Sequence, residues 1–301
     1  MFDDPKEKVM FDTMIIGQVS VDKNVDYDGR EEVVLGGAVL ASGYMASALG
    51  EKVAVVPKND LTDIVPENEF KECKNVTVFS RKSKENVHME NVYHTADRER
   101  RDCRCTAAID PYTPEDIPDE PAKVYHLAGL IVGDIPGNVI EACAKKGDVA
   151  VDVQCMMRRR FADNHLEVLD WEEKMKYLPM CRYLKTDAAE AEQLTGTSDR
   201  EEAAKLLYKW GAKEIMITHN TEVIIYDGKR IYREPLKPRN LTGRTGRGDT
   251  TFAAYLVERQ TKSIPEALLM AAAGVSLKME TPGPFKGTRK DIENFIDEFY
   301  K

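Results

Sequence analysis

The sequence predicts a three-layer α/β fold: a doubly wound, mostly parallel sheet with a small β-sheet lid inserted in it. Three observations predict this. DTMIIGQVSVD, LGGAVLASGYMASALG and KVAVVP follow one another as strand, glycine turn, helix and strand, a unit that implies parallel strands joined by a crossover helix. From residue 123 onward strand and helix patterns alternate again. Between about 76 and 110 the pattern changes to β-rich runs separated by polar turns.

Taken in order, the apolar run ending at Gly17 reads as a first strand and continues as an alternating segment through Asp22. Gly36 and Gly37 open a helix of small residues that Leu49 and Gly50 close, and KVAVVP is a second buried strand. VTVFS, NVHMENVYHT and CRCTAAI, interrupted by the charged ADRERRD, read as antiparallel strands of a smaller inserted sheet, and the lid is read as built from segments at about 18–32 and 76–110. After the turn-rich DPYTPEDIPDEP come KVYHLAGL, PGNVIEACAKKG, DVAVDVQ, CRYLKT, DAAEAEQLTG, REEAAKLLYKWG and KEIMITH, alternating between the two patterns. TEVIIYDGKRIYRE carries Asp-Gly between two β-rich runs and predicts a hairpin. Residues 249–260, 264–279 and 288–300 have helical periodicity, with Pro265 at a helix start where it is tolerated. No internal repeat, low-complexity tract or long linker interrupts the chain, so residues 1–301 are expected to form one domain.

Composition narrows the function. An apolar content of 42% and a charged content of 32% are ordinary for a globular protein. With 43 Lys and Arg against 52 Asp and Glu, the net charge of −9 argues against a broad nucleic-acid-binding face. No apolar run has membrane-spanning length, and the charged start MFDDPKEKVM does not read as a signal peptide. The expectation is a cytoplasmic protein with neither nucleic acid nor membrane as partner. Six cysteines, at 73, 103, 105, 143, 155 and 181, show neither a CxxC pair nor zinc-ligand spacing, and read as reduced thiols. Cys103 and Cys105 would share one strand face.

The most informative stretch is NLTGRTGRGDTTFAAYLVERQ, residues 240 to 260. Glycines at 243, 246 and 248 let the backbone approach a ligand closely, and the helix that follows aims unpaired N–H groups at the same spot. The arrangement makes an anion hole with Asp249 beside it. A carboxylate placed there can deprotonate a hydroxyl where a phosphoryl group arrives. An acidic residue at a helix start otherwise serves only as a cap or favours the dipole.

GRTGRGDTTF resembles the second signature of the ribokinase/PfkB carbohydrate-kinase family, D-T-x-G-A-G-D followed by Thr or Ser and Phe. The resemblance implies Asp249 as general base and Gly246, Arg247, Gly248 and Asp249 as the anion hole. Gly243 stands where the family has its first Asp and Arg247 where it has a small residue; Arg244 and Arg247 could add charge to the phosphate site. LGGAVLASGYMASALG resembles the first signature, in which Gly36 and Gly37 approach a polyol, with Ala41 in place of a common sugar-binding Asn. GQVSVD resembles the first strand, which makes Asp22 a ligand of substrate hydroxyls. KTDAAEAEQLTG resembles K-P-N-x-x-E-x-x-x-L-T-G, with Asp187 on the nucleotide side and Glu190 holding waters of a Mg²⁺ bound to the phosphates. EIMITHNTEVIIYDG resembles the nucleotide-side strand and hairpin, including Thr218, although His219 and Asn220 replace Leu-Gly. ALLMAAAGVSLKMETPG is similar to the adenine-side helix, where Ala272, Ala273, Gly274, Pro282 and Gly283 would flank the base. VDVQCMMRRRF places Asp152, Gln154 and Arg158 to Arg160 after a strand end, where one arginine could face an anion.

The resemblance covers nearly the whole chain and implies a ribokinase-like fold. It implies transfer of the ATP γ-phosphoryl group to a hydroxyl of a sugar, polyol or nucleoside, with ATP and Mg²⁺ as cofactors. A lid that closes to exclude water and pairs two subunits as a homodimer is implied as well. The departures at Ala41, His219 and Gly243 leave two alternatives: an inactive kinase-like binding or regulatory protein, and an ADP-dependent kinase. Ala41, the polar lid and the loop arginines suggest an acceptor other than plain ribose, a cyclic polyol or a nucleoside.

Overall fold

The apolar runs FDTMII, VAVV, AKVYHL, DVAVD and EIMIT form the middle of one large sheet, because strands covered on both faces need apolar side chains in both directions. Met14, Ile15, Ile16, Val53 to Val56, Val149 to Val151 and Leu184 are all fully buried. The computed structural model describes residues 9–50, 52–95 and 100–301. The charged start through residue 8 and residues 96–99 of ADRERRD, within the expected lid range, lie outside the described residues.

The large sheet has nine strands. Their order is Ile231–Pro235, Glu222–Tyr226, Glu214–Thr218, Cys181–Asp187, Asp148–Asp152, Ala122–Leu127, Phe11–Ile16, Val53–Val56 and Val76–Val78. The strands from Glu214–Thr218 to Val76–Val78 all pair in parallel with their neighbours; Ile231–Pro235 and Glu222–Tyr226 form the expected antiparallel Asp-Gly hairpin, and Glu222–Tyr226 also pairs antiparallel with Glu214–Thr218. Helices Ala38–Leu49, Arg247–Glu258, Ile264–Lys278 and Arg289–Phe299 pack together against the sheet, and helices Gly137–Ala144, Ala188–Thr195 and Arg200–Lys209 also pack on it. From Phe11–Ile16 the chain winds outward to Val53–Val56 and Val76–Val78, then returns to Ala122–Leu127 and winds the other way. The crevice at the carboxyl ends of strands beside such a reversal is where doubly wound sheets bind ligands.

The second sheet has four strands in the order Glu31–Gly36, Ser20–Val25, Val87–Tyr93 and Arg101–Ala107. It differs from expectation in two ways. Its first part extends to Gly36, and Ser20–Val25 pairs in parallel with Val87–Tyr93. Val76–Val78 belongs to the large sheet, since Asn75 Nδ2 donates to the carbonyls of Ser47 and Gly50 and holds this strand beside Val53–Val56. Arg81–Lys82 pairs with Lys58–Asn59. Along Ser20–Val25 buried and half-buried residues alternate, which turns Ser20, Asp22 and Asn24 towards the crevice. Among the described residues no helix is long and apolar enough to cross a membrane, and all six cysteines are unpaired.

Candidate active site

The crevice between the small sheet and the large one holds a cavity of about 220 Å³, lined by Asp22, Gly36, Gly37, Ala41, Gly246, Asp249, Lys278 and Gly283 among others. On the small-sheet side the Asp22 carboxylate accepts from Ser20 Oγ at 2.6 Å. Burial raises its pKa, opposed by that hydrogen bond and by the charges of Arg101 and Arg158. Gly36 leaves the space this carboxylate occupies, since a Cβ there would lie 2.3 Å from Asp22 Oδ2. Gly36→Ala is therefore expected to displace the carboxylate and raise the acceptor KM by about tenfold to a hundredfold, the worth of a charged hydrogen bond. Steady-state kinetics with the acceptor varied would check this; an unchanged KM would remove Asp22 from the acceptor site. Gly37, with φ of 98°, caps the helix Ala38–Leu49. Beside Asp22 stand Asn24 and Asn91, joined by Asn91 Nδ2 to Asn24 Oδ1 at 3.1 Å.

Opposite lies the loop before the helix Arg247–Glu258. Gly243 N donates to Met279 O at 2.8 Å. A Cβ at 243 would sit 1.8 Å from the carbonyl oxygen of Thr281, so the Asp that the family carries here has no room. Gly246, at φ of 78°, caps the helix, and Ala41 packs beneath it: a Cβ on Gly246 would be 3.1 Å from that of Ala41. The short side chain at 41 lets the turn close onto the helix Ala38–Leu49, where Ser42 Oγ donates to Asp249 O at 3.3 Å.

Behind this turn lies a cluster of buried charges. Lys185, at 5% exposure, bridges to Asp152 at 3.0 Å, and a Cβ on Gly248 would be 2.9 Å from its ammonium nitrogen. Burial opposes the lysine's charge, but Asp152, Glu190, Asp187 and Asp249 outweigh it and its pKa is raised. Burial pushes Asp249 up to about 6, with Asp152 adding and Lys185 opposing. Glu190 is pushed up to about 7 by burial, again against Lys185. Asp249 thus holds a carboxyl raised towards neutral pH, the range in which a carboxylate exchanges protons readily.

Asp187 ends one strand and lies in register beside Thr218 at the end of the next. The Asp187 side chain accepts from Glu190 N and the Glu190 side chain from Asp187 N, both at 2.8 Å, a reciprocal cap on the helix Ala188–Thr195. Among the described residues no group of three or more Asp, Glu, His or Cys side chains could hold a metal ion. One or two carboxylates completed by phosphate oxygens is the usual way Mg²⁺ is held, and Glu190 with Asp187 fits it. Arg244 Nη2 and Arg247 Nη1 both donate to Asn220 Oδ1, at 3.3 and 2.8 Å. Two guanidinium groups therefore stand at the turn after Thr218, where the sequence had expected a nucleotide. Ala273 does not line the cavity: Ala272 and Ala273 are fully buried, and a Cβ on Gly274 would meet Ile292 and Met45 at 3.2 Å. The small residues of that helix serve helix packing. Gly283 lies at the cavity rim.

Sequence reasoning expected one of Arg158 to Arg160 to face an anion, and it missed Arg101, Lys185 and Lys278. Of the three consecutive arginines only Arg158 lines the cavity, with Gln154; Arg159 pairs with Glu172 and Arg160 donates to Asn164. Arg101 lines it too, although it read as part of a charged turn; the alternation through Arg101, Cys103 and Cys105 was the available signal. Lys185 was in view as the first residue of KTDAAE, but only the fold sets it between Asp152 and Asp249. Lys278 gave no signal, being one basic residue near a helix end.

Fold and site together define a kinase acting on small-molecule hydroxyls: a carboxylate at a glycine turn and helix start, a polar small-sheet pocket on one side, and paired acids and arginines on the other. The chain belongs to the pfkB family of carbohydrate kinases, whose family model matches residues 71–289. It is 36% identical to a pyrophosphate-dependent kinase of the ribokinase family solved as a sulfate complex, over 93% of this chain and 99% of that one, with a TM-score of 0.85. A pyrophosphate-dependent kinase of the same family, complexed with a pyrophosphate analog and myo-inositol, is 34% identical over 94% and 99% of the two chains, with a TM-score of 0.84. A cytidine kinase of Thermococcus kodakarensis is 26% identical over 264 residues, 82% of this chain and 88% of that protein.

These relatives overturn the expectation of ATP as cofactor and of an ATP-dependent, ATP-binding kinase. The ADP alternative falls with it, and the inactive-protein alternative gives way to membership of an enzyme family. The local physical reason is visible at two of the positions assigned to nucleotide: Ala273 is spent on helix packing, and Arg244 meets Arg247 of the glycine turn at Asn220.

Proposed function

We propose that the protein transfers a phosphoryl group from pyrophosphate to a hydroxyl of a cyclic polyol of the myo-inositol type. The observation that carries this reading is the pair of arginines, Arg244 and Arg247, converging on Asn220 beside the glycine turn. Guanidinium groups recognise phosphate oxygens in a bidentate way and need no base or ribose to do so. The likeness to pyrophosphate-dependent kinases over more than nine-tenths of the chain supports the same donor. On the acceptor side Asp22, Asn24, Asn91 and Arg101 offer both acceptors and donors to a ring with several hydroxyls.

In this reading the acceptor oxygen attacks the terminal phosphorus, its proton passes to the Asp249 carboxylate, and the bond to the bridging oxygen breaks to release inorganic phosphate. The first-turn N–H groups at 247 to 249 neutralise charge on the transferred group. A divalent cation bound to the pyrophosphate would supply further charge neutralisation, with Glu190 and Asp187 as its protein side. Asp22 orients the acceptor.

The test is appearance of the phosphorylated acceptor, together with inorganic phosphate from pyrophosphate, ADP from ATP or AMP from ADP, each donor being offered with Mg²⁺ across inositols, sugars and nucleosides. Turnover of an inositol with pyrophosphate at a kcat/KM at least about a hundredfold above that with ATP is expected, as loss of two charged contacts implies. Equal or better turnover with ATP would overturn the donor, and a nucleoside as best acceptor would overturn the acceptor class.

A further inference from the structure

We propose that the ammonium of Lys278 is a tethered monovalent cation that positions the anion-hole turn, so that the enzyme works without a monovalent metal ion. The inference rests on the reading of residues 246 to 249 as the phosphoryl-transfer site. Lys278 ends the helix Ile264–Lys278 and is 1% exposed. Its nitrogen donates to the carbonyl of Gly243 at 2.6 Å and also to the carbonyl of Thr245. Two main-chain oxygens from alternate residues of the catalytic loop thus turn inward onto one point, and a positive charge sits at that point.

The arrangement has the chemistry of a cation site. Converging carbonyl oxygens of a buried loop repel one another and need a positive partner, which a potassium-sized ion or an ammonium group can provide equally well. Burial works against the charge here, drawing the lysine down to about 8, and Asp249 is the group that opposes the shift. Lys278 and Asp249 line the same cavity. Neither the proton transfer nor the acceptor pocket uses Lys278, yet it fixes Gly243 and Thr245, the residues that lead into Gly246. Because the ammonium is covalently part of the helix, it costs no cation-binding equilibrium and cannot be washed out. Lys278 is in this account a positioning residue.

The experiment compares the full-length wild type and Lys278→Ala in tetramethylammonium, sodium, potassium, ammonium and methylammonium chloride at equal ionic strength. Phosphate release from pyrophosphate with myo-inositol and Mg²⁺ is one readout and the thermal unfolding midpoint is the other. Wild-type kcat is expected to vary less than twofold among the salts. The Ala variant should lose at least tenfold in kcat in tetramethylammonium and recover most of it in ammonium, methylammonium or potassium, with its unfolding midpoint rising in the same salts. A wild type stimulated tenfold by potassium overturns the proposal, as does an Ala variant that these cations leave unmoved in both readouts. If wild type turns over no polyol in any salt, the kinase reading has failed, and the unfolding midpoints alone decide whether Lys278 replaces a cation. Should the Ala variant not fold in any salt, Lys278→Gln, which fills the space without charge, is expected to lose at least tenfold in kcat or, where nothing turns over, to unfold at a lower temperature that no salt restores. Wild-type values from the Gln variant overturn the proposal.

Discussion

Asp249→Asn is expected to bind pyrophosphate and acceptor as wild type does and to lose about 10²- to 10⁴-fold in kcat, the usual contribution of a positioned general base. The amide has nearly the carboxylate's shape, so the helix start and the contact from Ser42 to the 249 carbonyl should survive. Wild-type kcat/KM should also carry an acid limb. With its carboxyl pushed up to about 6, Asp249 becomes protonated as the pH falls through that value and can no longer accept a proton. Activity then falls about tenfold per pH unit below it. Glu190, pushed up to about 7, faces the same Lys185 and Asp152, so its protonation falls in the same pH range. Phosphate release against pH for both proteins checks the expectation. An Asn variant within about threefold of wild type would remove Asp249 from proton transfer.

Lys185→Met should have the largest effect on stability. Lys185 and Asp152 form a salt bridge at 3.0 Å with side chains 6% and 3% exposed, and removing one member leaves the other charge buried without its partner. Such a loss costs about 3–5 kcal/mol. The sign of its effect on activity follows from the cluster. Lys185 lowers the pKa of both Asp249 and Glu190, so its removal raises both and moves the acid limb to higher pH. Urea unfolding and a pH profile of kcat/KM measure the two effects. A variant within about 1 kcal/mol of wild type and with an unmoved limb would show that Lys185 neither supports the core nor tunes the base.

Much of this protein could be read from its residues. The continuous apolar runs could only be strands covered on both faces, and Asp-Gly between β-rich runs could only be a tight hairpin, because both patterns report local chemistry. The glycine turn with Asp249 was legible for the same reason: a helix start, close backbone approach and a carboxylate are all encoded within ten residues. The lid boundary was not. Val76–Val78 has the same β-rich composition as a lid strand, and only the contacts of Asn75 with Ser47 and Gly50 send it to the large sheet.

What the sequence determined by itself was the sheet, its winding and the carboxylate at the glycine turn. Tertiary structure alone decided what surrounds that carboxylate. Ala272, Ala273 and Gly274 read equally well as a base-binding wall and as a helix-packing face, and the approach of Met45 and Ile292 made them the second. Lys185 and Lys278 are single basic residues in sequence, 93 positions apart. Folding places one behind Asp249 and the other under the loop that leads to it. The reason is physical: periodicity and turn chemistry act between neighbours along the chain, whereas a buried charge acquires its meaning only from the distant groups that meet it once water has been excluded.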